Sequence, residues 1–184
     1  MALAPLPTQH AAMSLAAFAQ ITTFVFDVDG VLTDGTVWLM GDGEMVRRMN
    51  IKDGYALQLA VKKGYNVVII SGGKSQPVVE RLQKLGVENV HMGVKDKRAV
   101  LVNYMATHQL DAKQILFMGD DIPDMAAMQL SELPCCPADA CSQVKAISAY
   151  VSACAGGMGC VRDVIEKVMT LRGHWLHTSD VASK

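Results

Sequence analysis

Two acids stand two residues apart in Asp27-Val28-Asp29-Gly30-Val31, directly after the apolar run 21–26. On an extended strand such residues point the same way, but a chain that turns here sets the two carboxylates at different angles. One can attack phosphorus while the other hands a proton to the leaving oxygen. Phosphoryl transfer needs that in-line geometry together with neutralisation of the transferring oxygens. A carboxylate can act as a covalent nucleophile because water can cleave the phosphoryl ester it forms. Gly30 would let the backbone come close to a phosphate. A bare Asp-x-Asp-Gly is also how an acidic surface turn reads.

Three further motifs follow the same pattern. Ser71-Gly72 closes the apolar run 66–70, and a hydroxyl with backbone N–H groups ahead of a helix can cradle a phosphate. Lys97 opens a helical stretch, where its ammonium could balance a phosphate or an aspartate as a point charge. Gly119-Asp120-Asp121-Ile122-Pro123-Asp124 follows the run 114–118. Three acids that close repel one another unless a cation or bases intervene, and all-oxygen ligation suits Mg²⁺. Each motif has an ordinary reading by itself: a turn, a solvated basic loop beside Lys95 and Arg98, an N-cap by Asp121 or Asp124. Capping explains one acid, not three. Together the four occur in order at the ends of successive strands.

The elements that must position them alternate. Strands are expected at 21–26, 66–70, 87–92, 114–118, 133–136 and 149–151. Helices are expected at 53–63, 75–85, 96–108, 122–130 and 160–171, with Gly64 and Gly86 just past two of their ends. A short helix over 15–20 could be capped by Ser14, after roughly a dozen loose residues. This predicts an α/β fold with a mostly parallel sheet, helices on both faces and the site at the strands' carboxyl ends. One stretch departs from it. Segments 36–40 and 44–50 flank Gly41-Asp42-Gly43, a hairpin signal. A hairpin over 36–50 would project as a flap over the site. With Trp38, Met40, Met45 and Met49 it is too apolar for water, so it packs on its own domain or against other subunits.

Composition bounds the function. A chain of 184 residues with net charge −1 suits one domain and offers no basic block for nucleic acid. Apolar runs are too short for a bilayer of about 20 helical residues. The Ala-rich start lacks Lys and Arg and makes a poor signal peptide. Five cysteines show no zinc spacing and read as reduced cytosolic thiols, which places the protein in the cytoplasm. The expected division is an N-terminal extension over 1–20, partly disordered, a catalytic domain over 21–175 and a tail over 176–184.

With these motifs in place the sequence resembles the haloacid dehalogenase superfamily of phosphohydrolases, over roughly 21–171. The resemblance implies a Rossmann-like core with Asp27 as nucleophile and Asp29 as general acid, then base. It implies Mg²⁺ held by Asp27, the backbone carbonyl of Asp29 and Asp120, with Asp121 and Asp124 close to the metal or its waters. Ser71, Gly72 and Lys97 would hold the phosphate.

A narrower resemblance is to the capless branch that acts on phosphorylated sugar acids. It rests on Asp29-Gly30-Val31-Leu32-Thr33-Asp34-Gly35, the hairpin, Asn50-Ile51-Lys52-Asp53-Gly54 and Ala155-Gly156-Gly157-Met158-Gly159. It implies no large cap domain, a homotetramer built around the hairpins, and sites completed by a neighbouring subunit. Arg81 and Lys84 would reach a neighbour's site and hold a carboxylate, unless they are simply a solvated helix face. Thr33 and Gly73 are counted with the substrate-facing residues. The second motif departs from relatives that read Ser/Thr-Gly-Arg or Thr-Gly-Glu, because Gly73 offers no side chain. The substrate implied is 3-deoxy-D-manno-octulosonate 8-phosphate. The nine-carbon keto-deoxy-nononate (KDN) and N-acetylneuraminate 9-phosphates are alternatives, as is a non-catalytic tetramerisation domain. A mutase would need a cap that no segment here is long enough to build.

Overall fold

A computed structural model describes residues 9–41 and 43–175. Four buried residues, Thr23–Phe26 (β1), three of them apolar, form a strand in the middle of a six-stranded sheet. Asn66–Ile70 (β4) pairs with β1 on one side and Ile115–Met118 (β6) on the other, both parallel. Asn89–His91 (β5), Leu133–Cys136 (β7) and Tyr150–Val151 (β8) extend it in the order β5-β4-β1-β6-β7-β8, all parallel. Trp38–Leu39 (β2) and Met45–Val46 (β3) form a separate antiparallel pair.

Side chains on successive strand residues go to opposite faces. Phe24, Phe26, Val67, Ile69, Leu116 and Met118 pack one way. There they meet Gln9–Gln20 (α1), Ile51–Lys62 (α2), Gln76–Lys84 (α3) and Cys160–Leu171 (α7). Val25, Val68, Ile70, Ile115 and Phe117 pack the other way, against Lys97–His108 (α4), Met125–Met128 (α5) and Ser142–Ile147 (α6). Both faces are therefore covered, which is why the strands read as continuous apolar runs rather than alternating ones. Phe117 is fully buried, so its truncation to Ala would cost about 3–5 kcal/mol.

Several boundaries differ from the sequence-based expectation. Helix α2 starts at Ile51 rather than 53, because the Asn50 side chain caps it by accepting from the Lys52 N–H at 2.8 Å. The stretch 122–130 splits into a 3₁₀ turn, Ile122–Asp124, and the single-turn α5. Helix α6 was not expected, and strand β5 is half the expected length. Helix α1 begins at Gln9, so residues 9–14 are helical rather than loose and Ser14 lies inside the helix, not at its cap. The expectations for residues 1–8 and 176–184 lie outside the described residues.

The hairpin is present but short, and Asp42 at its turn lies outside the described residues. Its tip does not pack on its own domain: Trp38 is 73 % and Leu39 76 % exposed, with Met40, Met45 and Val46 exposed beside them. Among the described residues no large cap domain is built. No helix among them is long and apolar enough to cross a membrane.

Candidate active site

Strand β1 delivers Asp27 to the sheet's carboxyl end, where its N–H donates to the Met118 carbonyl at 3.1 Å. The chain then coils. The N–H groups of Val31, Leu32 and Thr33 all donate to the Val28 carbonyl. Gly30 sits at φ +83° in this coil. Thr33 is fully buried, and its hydroxyl accepts from the N–H groups of Gly30 and Gly35, each at 3.3 Å. Its side chain thus holds the loop together.

Strand β6 runs beside β1 and delivers the second acidic loop next to the first. Carboxylate oxygens of Asp27, Asp120 and Asp124 lie within 4.8 Å of one another. Lys97, the first residue of α4, reaches between them, its Nζ 2.9 Å from Asp27 Oδ1 and 2.6 Å from Asp124 Oδ1. Its side chain is only 8 % exposed. Burial works against the ammonium's charge, yet the two carboxylates hold its pKa above the usual lysine range. Burial, with Asp124 adding repulsion and Lys97 opposing it, pushes Asp27 up to about 6. Burial and the charges of Asp124, Asp27 and Asp121 push Asp120 up to about 7. Three carboxylates against one ammonium leave an excess of negative charge. That all-oxygen donor set fits a hard divalent cation such as Mg²⁺.

Asp124 is more central than the sequence suggested. It is buried, and its second oxygen accepts from the N–H groups of Asp120 (3.1 Å) and Asp121 (3.4 Å). It therefore ties Lys97 to the acidic loop. Asp121 is exposed at the cleft rim. Ser71 ends β4, is buried, and its Oγ accepts from the Gly73 N–H at 3.1 Å.

These residues surround one cleft of about 330 Å³, lined by Asp27, Asp29, Ser71, Gly73, Lys97 and Asp120 among others. A larger cavity of about 870 Å³, on the α1 and α7 side, shares none of them and holds no comparable carboxylate cluster; chemistry rather than size marks the site.

One residue of the site was missed in the sequence. Arg47, just past β3, clamps Asp29: Nε donates to Oδ1 at 2.7 Å and Nη2 to Oδ2 at 3.0 Å. Strand alternation puts Arg47 on the hairpin face opposite Arg48. That alternation was the only signal available, since the two arginines look alike in sequence. Arg81 and Lys84 are not in this cleft. Arg81 lines a smaller hollow at the hairpin base, and Lys84 is exposed on α3.

No family model matches the chain. A curated relative, the 3-deoxy-D-manno-octulosonate 8-phosphate phosphatase KdsC of Yersinia pestis, is 30 % identical over 151 residues, 82 % of this chain and 81 % of the relative. A Legionella pneumophila structure assigned to subfamily III A of the HAD hydrolases aligns with TM-score 0.86 and 27 % identity, over 89 % of this chain and 90 % of that one. The Moraxella catarrhalis 3-deoxy-D-manno-octulosonate 8-phosphate phosphatase was solved with magnesium, phosphate and KDO. It aligns with TM-score 0.82 and 29 % identity, over 85 % and 90 % of the two chains.

A parallel sheet with Asp-x-Asp at its central strand, a lysine between acids and a second acidic loop one strand away defines a HAD-type phosphohydrolase, a phosphoric monoester hydrolase. Within that class the chain belongs to the KdsC family of 3-deoxy-D-manno-octulosonate 8-phosphate phosphatases.

Proposed function

We propose that this chain hydrolyses 3-deoxy-D-manno-octulosonate 8-phosphate to the free sugar acid and phosphate. The observation that carries the reading is the convergence of Asp27, Asp120 and Asp124 around Lys97 at the end of the central strand. In this reading Asp27 attacks phosphorus in line. Asp29 gives its proton to the departing ester oxygen, leaving an aspartyl phosphate on Asp27. Asp29 then takes a proton from water as that water attacks the phosphorus, and Asp27 is regenerated. Lys97, Ser71 and the backbone at Gly72 hold the phosphate oxygens. Asp27, the Asp29 carbonyl and Asp120 would hold Mg²⁺, which when bound would supply the charge neutralisation that the transfer needs. Asp124, beside these ligands, and Asp121, at the cleft rim, would sit close to the metal or its waters.

The exposed apolar hairpin supports a homotetramer in which hairpins pack together and a neighbour completes each site. Arg81 at the hairpin base and Lys84 on α3 would then stand at the subunit boundary, where a sugar carboxylate could meet them. Residues 21–175 form the catalytic domain. Five free thiols suit a reducing cytoplasm.

The test is phosphate release from the eight-carbon sugar-acid phosphate, KDN 9-phosphate, N-acetylneuraminate 9-phosphate and p-nitrophenyl phosphate, each with Mg²⁺ and with EDTA. The eight-carbon substrate should give the highest kcat/KM, with activity lost in EDTA and restored by Mg²⁺. Preference for a nine-carbon substrate would move the assignment there. No release from any of the four would overturn it.

A further inference from the structure

We propose that Arg47 is a substrate-binding residue that grips the hydroxyl groups next to the phosphate ester, in the space that Gly73 leaves open. The proposal rests on the phosphatase reading above.

The starting point is a volume shared by two segments. A Cβ built on Gly73 would lie 3.1 Å from Arg47 Nη2 and 2.9 Å from Asp29 Oδ2. Position 73 and the Arg47 head therefore claim the same place, and the absence of a side chain at 73 is what admits the arginine. The second observation is burial. The Arg47 side chain is only 4 % exposed, although it leaves from a hairpin whose apolar residues are exposed. A long cation held in this way loses rotamer freedom and hydration. Here it is fixed at three points, to both oxygens of Asp29 and through Nη1 to the Met45 carbonyl at 2.9 Å.

Geometry then limits what Arg47 can touch. Asp29 must reach the ester oxygen to protonate it, and the guanidinium donors lie within 3.0 Å of that carboxylate. Groups carried by the carbons nearest the ester oxygen fall within their reach. In a sugar-acid phosphate these are chain hydroxyls, and the carboxylate at the far end is too distant. The planar fork carries five N–H donors, three of them engaged with Asp29 and Met45. Arriving hydroxyls compete with Asp29 for the fork, and each bond they win leaves an Asp29 oxygen free for the proton transfer. An aryl phosphate has no hydroxyl at that place and leaves the clamp closed.

The experiment is a double-mutant cycle on kcat/KM with two substrates, the eight-carbon sugar-acid phosphate and p-nitrophenyl phosphate. Arg47→Ala should lower kcat/KM for the sugar-acid phosphate by about tenfold or more beyond any change for the aryl phosphate, mainly through KM. Gly73→Ala, which pushes the guanidinium aside, should shift the ratio in the same direction, yet add little in the Arg47→Ala background. Equal losses on both substrates, or fully additive effects, would overturn the assignment. Melting curves of the three variants check that each folds. A parent chain that released phosphate from neither substrate would overturn the underlying reading, and this one with it.

Discussion

A Cβ on Gly30 would sit 2.0 Å from Oδ2 of Asp120, so the turn after β1 and the loop after β6 meet with no spare atom between them. The glycine is required twice, because its φ of +83° also disfavours any side chain. Gly30→Ala should cost about 1–3 kcal/mol in backbone strain and displace the Asp120 carboxylate. Phosphate release should drop about 10²-fold, with the Mg²⁺ dependence moved to higher concentration. Melting curves and a Mg²⁺ titration of activity check both. An unchanged titration would mean that Asp120 does not serve the metal.

Asp27→Asn should abolish turnover, a loss of at least ~10³-fold, because an amide cannot form the phosphoryl ester. Asp29→Asn should lose about 10²–10⁴-fold while still binding Mg²⁺. Single-turnover phosphate release separates the two. Retained activity in the first variant, or less than a tenfold loss in the second, contradicts the roles given to them.

Asp53 gives a stability signature independent of catalysis. It is buried in the first turn of α2, and one oxygen accepts from the Arg162 N–H at 2.7 Å, tying α2 to the start of α7. Burial pushes its pKa up to about 6 despite that hydrogen bond. The folded chain therefore holds this proton more tightly than the unfolded one, where an aspartate titrates near 3.9. The stabilisation is complete below pH ~4 and is lost as pH rises through about 6, an amount of order 2 kcal/mol. Asp53→Asn should remove that slope and gain on the parent between pH 4 and 7. Urea unfolding at a series of pH values measures it, and parallel curves would refute it.

The hairpin tip should govern assembly. Leu39→Asp puts a charge where the proposed subunits meet, and should yield a smaller species by light scattering without lowering the monomer's own melting cooperativity. An unchanged particle mass would remove the hairpin from the interface.

The central strands were legible because their apolar runs stop at Asp27, Ser71 and Gly119, and β4, β7 and α7 fall at the expected residues. The start of α2 was misplaced although its cap, Asn50, was in view, because the hairpin had been extended through it. Helix α6 is a single short stretch with little apolar periodicity, so nothing local announced it. Lys97 read as one member of a basic turn, because its partners Asp27 and Asp124 come from distant segments that only the sheet order brings together. For the same reason Asp124 was read as peripheral and Arg47 was not read at all. Local sequence carries strand ends and caps well; contacts across the sheet and across the hairpin depend on topology.

The turn after Asp27 is backed by residues about 120 positions further along the chain. The Gly157 N–H donates to the Val31 carbonyl, Asn50 donates to the Gly157 carbonyl, and a Cβ on Gly156 would lie 2.0 Å from the Gly30 carbonyl oxygen. During translation Asp27 emerges well before this support does. A nascent chain stalled before the 155–159 segment lacks the brace and should be catalytically silent. Competence thus waits for that segment, and a truncation that stops short of it should abolish activity even if its sheet forms.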